Sequence, residues 1–99
     1  MTKKRRSRQP TTPGEILKEE FLIPLGMTQR HLAEHIGCDV KVINRIINNR
    51  TSISAEMALK LGATFMTTPE FWLNAQKAVD LYLAEKRIKK LPKPLLKAS

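Results

Sequence analysis

The stretch RHLAEHIGCDVKVINRI, residues 30–46, decides the fold, and it admits two opposed readings. Read for metal ligands, it holds His31, Glu34 and His35 in a His-x-x-Glu-His pattern, with Cys38 three residues further on. Zinc is bound well by two histidines one helical turn apart, so this reading makes the chain a zinc hydrolase. Read for packing, the same residues are two short amphipathic helices folded about Gly37. Ala33 is the small residue where the helices cross, Gly37 makes the turn, and Ile43 and Ile46 lock the second helix onto the first. Gln29, Ala33, Gly37, Ile43 and Ile46 are related by offsets of 4, 8, 14 and 17, each with a packing reason. A zinc hydrolase also needs a third ligand, a general base and a cleft, which so short a helical chain has little room to build. Cys38 stands past the glycine that reverses the chain. The helix-turn-helix reading, over residues 28–48, is therefore preferred, with no catalytic residue, metal or cofactor expected.

In that reading residues 39–48 form the recognition helix. Asp39, Val40, Lys41, Asn44, Arg45 and Asn48 face outward, and short polar, basic and small apolar groups suit base edges and thymine methyls. Gln29 and Arg30, at the start of the preceding helix, and Asn49, Arg50 and Thr51, in the loop that follows, are the expected anchors on the DNA backbone.

The flanking sequence supplies the rest of an all-α domain, with five helices and no strand. Thr12, Pro13 and Glu15 open a first helix as a capping box with proline at its first position. Ile16, Leu17 and Phe21 form its buried stripe, and Pro24 is expected to end it near Leu22. Thr28 and Asp39 cap the helix-turn-helix pair. Ser54 caps a fourth helix with Met57, Ala58 and Leu61 inward. Thr68 caps a fifth, over residues 69–87, and Pro92 and Pro94 close off helical structure beyond it.

The chain has 99 residues, enough for one small core. Its net charge of +9 lies at its ends. Residues 1–12 carry Lys3, Lys4, Arg5, Arg6 and Arg8, and residues 86–99 carry six bases and no acid, whereas residues 13–85 sum to −2. Residues 1–11 are expected to be a disordered basic arm, residues 12–88 the DNA-binding domain and residues 89–99 a basic tail. Basic ends attract polyanions, and the arm is expected to track phosphate or enter a neighbouring minor groove. No apolar run approaches the roughly 18 residues of a membrane span, and no secretory signal is evident. With a lone cysteine, this predicts a cytoplasmic protein with no membrane partner.

The last helix is more apolar than docking on one core requires. Phe71, Trp72, Ala75, Ala78, Val79, Tyr82 and Leu83 are expected to dock, while Leu73, Leu81, Ala84 and Ile88 form a second strip. That strip predicts a homodimer interface.

From Thr12 to about Leu83 the sequence resembles the HigA-type antitoxins, also called virulence-associated protein I, within the Xre/λ-repressor-like helix-turn-helix family. The resemblance is carried by PGEILKEEFLIPLGMTQRHLAEHIG, INNRTSISAEMALKLGATF and TPEFWLNAQKAVDL. It implies a five-helix λ-repressor-like domain whose DNA contacts fall on Gln29, Lys41, Asn44 and Arg45. It further implies the antitoxin of a type II toxin-antitoxin system. Such antitoxins neutralise a RelE-like mRNA-cleaving toxin and repress their own operon as homodimers on a palindromic operator. The alternative within the family is a stand-alone Xre-type regulator without a toxin. Two departures stand out. His31 replaces the usual glutamate, which removes the reciprocal capping partner of Thr28, and Asp39 brings a negative charge to the start of the recognition helix.

Overall fold

The computed structural model describes residues 8–96, so part of the expected basic arm, residues 1–7, and the end of the tail, residues 97–99, lie outside the described residues. Five helices make up the regular structure of the described residues. The first, α1 (13–25), comprises an α-helical turn Pro13–Ile16, a π-helical stretch Leu17–Leu22 and a final α-helical turn Ile23–Leu25. It is followed by α2 (Gln29–Ile36), α3 (Val40–Ile47), α4 (Ala55–Phe65) and α5 (Pro69–Arg87).

Each helix begins where a side chain replaces a missing backbone acceptor. The Thr12 hydroxyl accepts from Glu15 N at 3.1 Å, and Glu15 Oε1 accepts from Thr12 N at 3.2 Å, completing the capping box. Thr28, Ser54 and Thr68 accept from the third residue of their helices at 3.0–3.1 Å. Asp39 Oδ1 accepts from Lys41 N at 2.8 Å. Thr28 keeps this half of its cap although His31 supplies no carboxylate in return. Gly26 and Gly37 close α1 and α2 in the left-handed region, with φ of 61° and 86°.

The first helix does not end near Leu22. Pro24 lies within it, and Ile23 keeps right-handed helical angles. The reason is the change of hydrogen-bond register ahead of the proline. Ile23 N donates to Lys18 O, five residues back, and Met27 N donates to Leu22 O at 2.9 Å. A wider coil gives the pyrrolidine ring room that a regular α-turn denies it, and the missing N–H falls where the register is already interrupted.

The core is built from all five helices. Leu17, Leu32, Ile43, Leu61 and Trp72 are fully buried, one from each. Each contributes about 1.5–3 kcal/mol through its removal from water. Trp72 is held by more than burial. Its Nε1 donates to Thr67 Oγ1 at 2.8 Å, Phe71 meets it edge-on at 5.2 Å, and Phe21 lies 5.5 Å away. Phe65 stacks on Phe21 at 4.6 Å, which joins α1 to the α4–α5 hairpin. Ile53, in the loop before α4, is also buried, and its N–H donates to Gln76 Oε1 at 3.0 Å.

The outer strip of α5 differs from expectation at one residue. Leu73 is half-buried and packs against the core, next to the fully buried Trp72. Leu81 and Ile88 are each 43% exposed, and Ala84 is half-buried between them. Leu83, expected to dock, is as exposed as Leu81. No helix among the described residues is long and apolar enough to cross a membrane.

α1 approaches α3 most closely at Gly14. Gly14 is buried, and a Cβ there would overlap Ile46 O and stand 2.8 Å from Ile47 O and from Asn49 Oδ1. Two of those three atoms are backbone carbonyls at the end of α3, so relief requires α3 to move. Elsewhere in a helix, replacing glycine with alanine gains about 1 kcal/mol. Gly14→Ala should instead lose about 1–3 kcal/mol of stability. Chemical denaturation measures the sign, and an alanine variant as stable as the parent would show that the approach is not enforced.

Candidate nucleic-acid interface

α2 and α3 pack through Leu32, Ala33, Ile43 and Ile46, all buried, and this leaves their opposite faces outward. Ala33 admits the close crossing, and Gly37 N donates to its carbonyl at 2.8 Å as the chain turns. The outer face of α3 carries Lys41, Asn44, Arg45 and Asn48, all exposed. Arg30 is exposed in the first turn of α2, and Gln29 beside it is half-buried. Val40 is half-buried and packs against the core, so it offers less of its side chain to a groove than the expectation assigned to it.

Three of these side chains touch one another. Asn44 Nδ2 donates to Gln29 Oε1 at 3.2 Å, across the two helices. Asn48 Nδ2 donates to Asn44 O at 3.0 Å and to Asn44 Oδ1 at 3.2 Å. Asn49 follows in the left-handed region, with φ of 58°, a conformation asparagine tolerates better than most residues. The chain is then held back on α3 by Arg50 N donating to Arg45 O at 2.8 Å. Asn49, Arg50 and Thr51 are exposed as expected, and they also line a groove of about 270 Å³ that runs past Thr12 and Gly14 to Gln76 and Leu83.

The charge of Asp39 is explained by its cap. Its carboxylate takes the Lys41 N–H, so the start of α3 is occupied by an anion of its own. The basic side chains Arg30, Lys41, Arg45 and Arg50 are exposed on α2, on α3 and in the loop that follows. This arrangement suits a polyanion held by side chains and by the first turn of α2, rather than by the N-terminus of α3.

The metal pattern does not assemble. His31, Glu34 and His35 are exposed on the outside of α2, whereas Cys38 packs partly against the core. Among the described residues no three His, Cys, Asp or Glu side chains come close enough to share an ion.

Reading from sequence missed the mutual bonding of Gln29, Asn44 and Asn48. An i, i+4 pair of asparagines at the end of α3 was the available signal, but the contact with Gln29 depends on the crossing angle. It also missed Gln76, whose role in holding Ile53 N becomes visible only when α5 lies against the loop before α4.

The sequence pattern of the helix-turn-helix family matches residues 17–72. The antitoxin HigA-1 of Vibrio cholerae is 44% identical over 91 residues, covering 89% of this chain and 86% of that protein. A helix-turn-helix-type transcriptional regulator of Haemophilus influenzae, of uncharacterised function, is 47% identical over 76 residues, covering 77% of this chain and 71% of its own length. The structure of Pseudomonas aeruginosa antitoxin HigA with the higBA promoter superimposes with a TM-score of 0.81 at 36% identity, covering 89% of this chain and all of that one. With its helix pair inside the matched segment and its five-helix frame shared with that antitoxin, the chain belongs to the helix-turn-helix family, in its Xre-type, HigA-like branch.

Proposed function

We propose that this protein is the antitoxin of a type II toxin-antitoxin pair, which represses its own operon by binding a palindromic operator and neutralises a RelE-like mRNA-cleaving toxin. The observation that carries the DNA-binding half is the outer face of α3. Lys41, Asn44, Arg45 and Asn48 stand exposed there, flanked by Arg30 and Arg50, on a frame that its Pseudomonas relative uses in complex with promoter DNA. The toxin half rests on the likeness to HigA antitoxins.

In this reading the first turns of α3 enter the major groove. Lys41 and Arg45 donate to guanine edges or phosphates, and Asn44 pairs with adenine. Arg30, Asn49, Arg50 and Thr51 hold the backbone on either side. The protein works where its operator is, in the cytoplasm.

The two kinds of contact separate on titration. Asn44→Ala should cost about 1–3 kcal/mol at one base pair, whereas Arg50→Ala should weaken all sequences alike and lower the slope of log affinity against log salt by about 1. An Asn44→Ala variant with unchanged operator affinity would place the groove-facing side elsewhere.

The H. influenzae relative, described as a transcriptional regulator, favours a second reading, that of a regulator without a toxin. Co-expression decides between them. Growth arrest caused by a RelE-like protein encoded beside this gene should be relieved by this chain. Absence of such a neighbour, or arrest that the chain does not relieve, would leave the regulator alone.

The palindrome requires two copies. Leu81, Ala84 and Ile88 form an outward apolar strip on α5, and Leu73, half-covered by the core, lies at its edge. Packing this strip on its mate would set two recognition helices about 34 Å apart, one turn of duplex. The isolated protein should sediment as a dimer, and Leu81→Glu with Ile88→Glu should sediment as a helical monomer. A parent protein that is monomeric at micromolar concentration would refute the dimer, and a dimer indifferent to both charges would move its interface off α5.

A further inference from the structure

The amides of Gln29, Asn44 and Asn48 form a chain whose polarity is set from one end. Asn48 Nδ2 donates to the Asn44 main-chain carbonyl, which can only accept. That bond turns the Asn48 amide so that its NH₂ faces Asn44. The same NH₂ lies 3.2 Å from the Asn44 side chain, and the atom that meets it must be an acceptor, Oδ1. Asn44 Nδ2 is thereby turned the other way, toward α2, and meets Gln29 Oε1 at 3.2 Å. Gln29 is left with its NH₂ directed away from the relay. One main-chain carbonyl at the end of α3 thus orients three side chains spread over two helices.

We infer that Asn48 is a positioning residue for base recognition, which fixes the orientation of the Asn44 amide through the Gln29–Asn44–Asn48 relay before any nucleic acid arrives. This rests on the proposal that the outer face of α3 reads DNA. Each amide has two N–H groups and two lone pairs, and the relay uses one of each on Asn44. One donor and one acceptor remain, the pair that adenine N7 and N6–H₂ require. A free asparagine on an exposed helix flips between two orientations and presents the pair in either order. Held by Asn48 and Gln29, Asn44 presents it in one order only, so the ordering is complete before binding. Gln29, with its NH₂ outward, suits an acceptor such as a phosphate oxygen or a guanine edge.

The test measures discrimination rather than affinity. Duplex DNA selected from a randomised library by the parent protein supplies the operator. The base pair read by Asn44 is the one whose substitution no longer matters in Asn44→Ala. At that pair the ratio of affinities, preferred base over the others, is measured for Asn48→Ala, Asn48→Asp, Gln29→Ala and the double variant Asn44→Ala with Asn48→Ala. A uniform loss from a weakened helix end or an added charge cancels in the ratio. Asn48→Ala should lower the ratio by about two- to tenfold, the scale of ordering one side chain. Asn48→Asp, of the same shape but unable to donate, should lower it further, because the carboxylate draws Asn44 Nδ2 toward itself. In the Asn44→Ala background Asn48→Ala should leave the ratio unchanged, since its path runs through Asn44. A ratio preserved in both Asn48 variants, whatever their absolute affinity, overturns the relay while leaving the interface intact. A parent protein that selects no sequence at all overturns the interface and the relay together.

Discussion

The start of α1 rests on the end of α3, and the orientation of the recognition helix depends on that contact. The four free N–H groups of a helix start carry partial positive charge, and the free carbonyls of a helix end carry the opposite. Here the two ends meet, with Gly14 of α1 against Ile46 O and Ile47 O of α3. Any side chain at position 14 would hold them apart. Thr12 and Pro13 are buried at the same place, and the capping box makes the first turn rigid enough to serve as a stop. Ile43 and Ile46 fix α3 to the core through side chains, whereas the contact at Gly14 is with the α3 backbone itself.

Much of this architecture was legible in the sequence because it depends on local chemistry. Thr12, Thr28, Asp39, Ser54 and Thr68 all cap helices, and each was identifiable from a short polar residue ahead of an apolar period. Gly37 turns the chain as a residue in the left-handed region must. The misreadings fall where distant residues decide. Pro24 looks like a helix end to any local rule, and only the widened coil from Leu17 to Leu22 admits it. Leu73 lies on the outer strip of an isolated helical wheel, yet it packs partly against the core. Ile53 sits in a run of polar residues, yet it is part of the buried core and Gln76 accepts from its N–H. Of the candidate site, the outward direction of Lys41, Asn44, Arg45 and Asn48 was legible, whereas Val40, expected to face outward, packs against the core. The bonding among the three amides was not legible, since it depends on the angle at which α2 crosses α3.

α3 divides its work between two faces with little shared between them. Ile43 and Ile46 are buried and fix the helix to its neighbours, while Asn44 and Arg45, adjacent in sequence, point the other way. Substitution on the outer face therefore costs the fold little, as is usual for surface positions away from caps and networks. Asn48 is the exception, because it belongs to both: its backbone ends α3, and its side chain reaches Asn44. A change there is felt by the end of α3 and by the Asn44 side chain together.

The distribution of charge complements that division. The segment 13–85 is slightly acidic in sum, so attraction to a polyanion cannot come from its net charge. It comes from placement. Arg30, Lys41, Arg45 and Arg50 belong to the helix-turn-helix and the loop after it, where the acids are Glu34 and Asp39, whereas Glu19 and Glu20 stand exposed on α1 and Glu56 and Glu70 at the starts of α4 and α5. At physiological salt, fields between exposed charges fade over about 8 Å, so a duplex held at α3 is governed chiefly by the bases beside it. Asp39 is the acid closest to that surface in sequence, and its carboxylate is committed to Lys41 N. A cap at that point holds the helix start without a phosphate. On the proposed reading, phosphate contact falls to side chains such as Arg30 and Arg50, so that Asn44 can be altered without loosening that grip on the backbone.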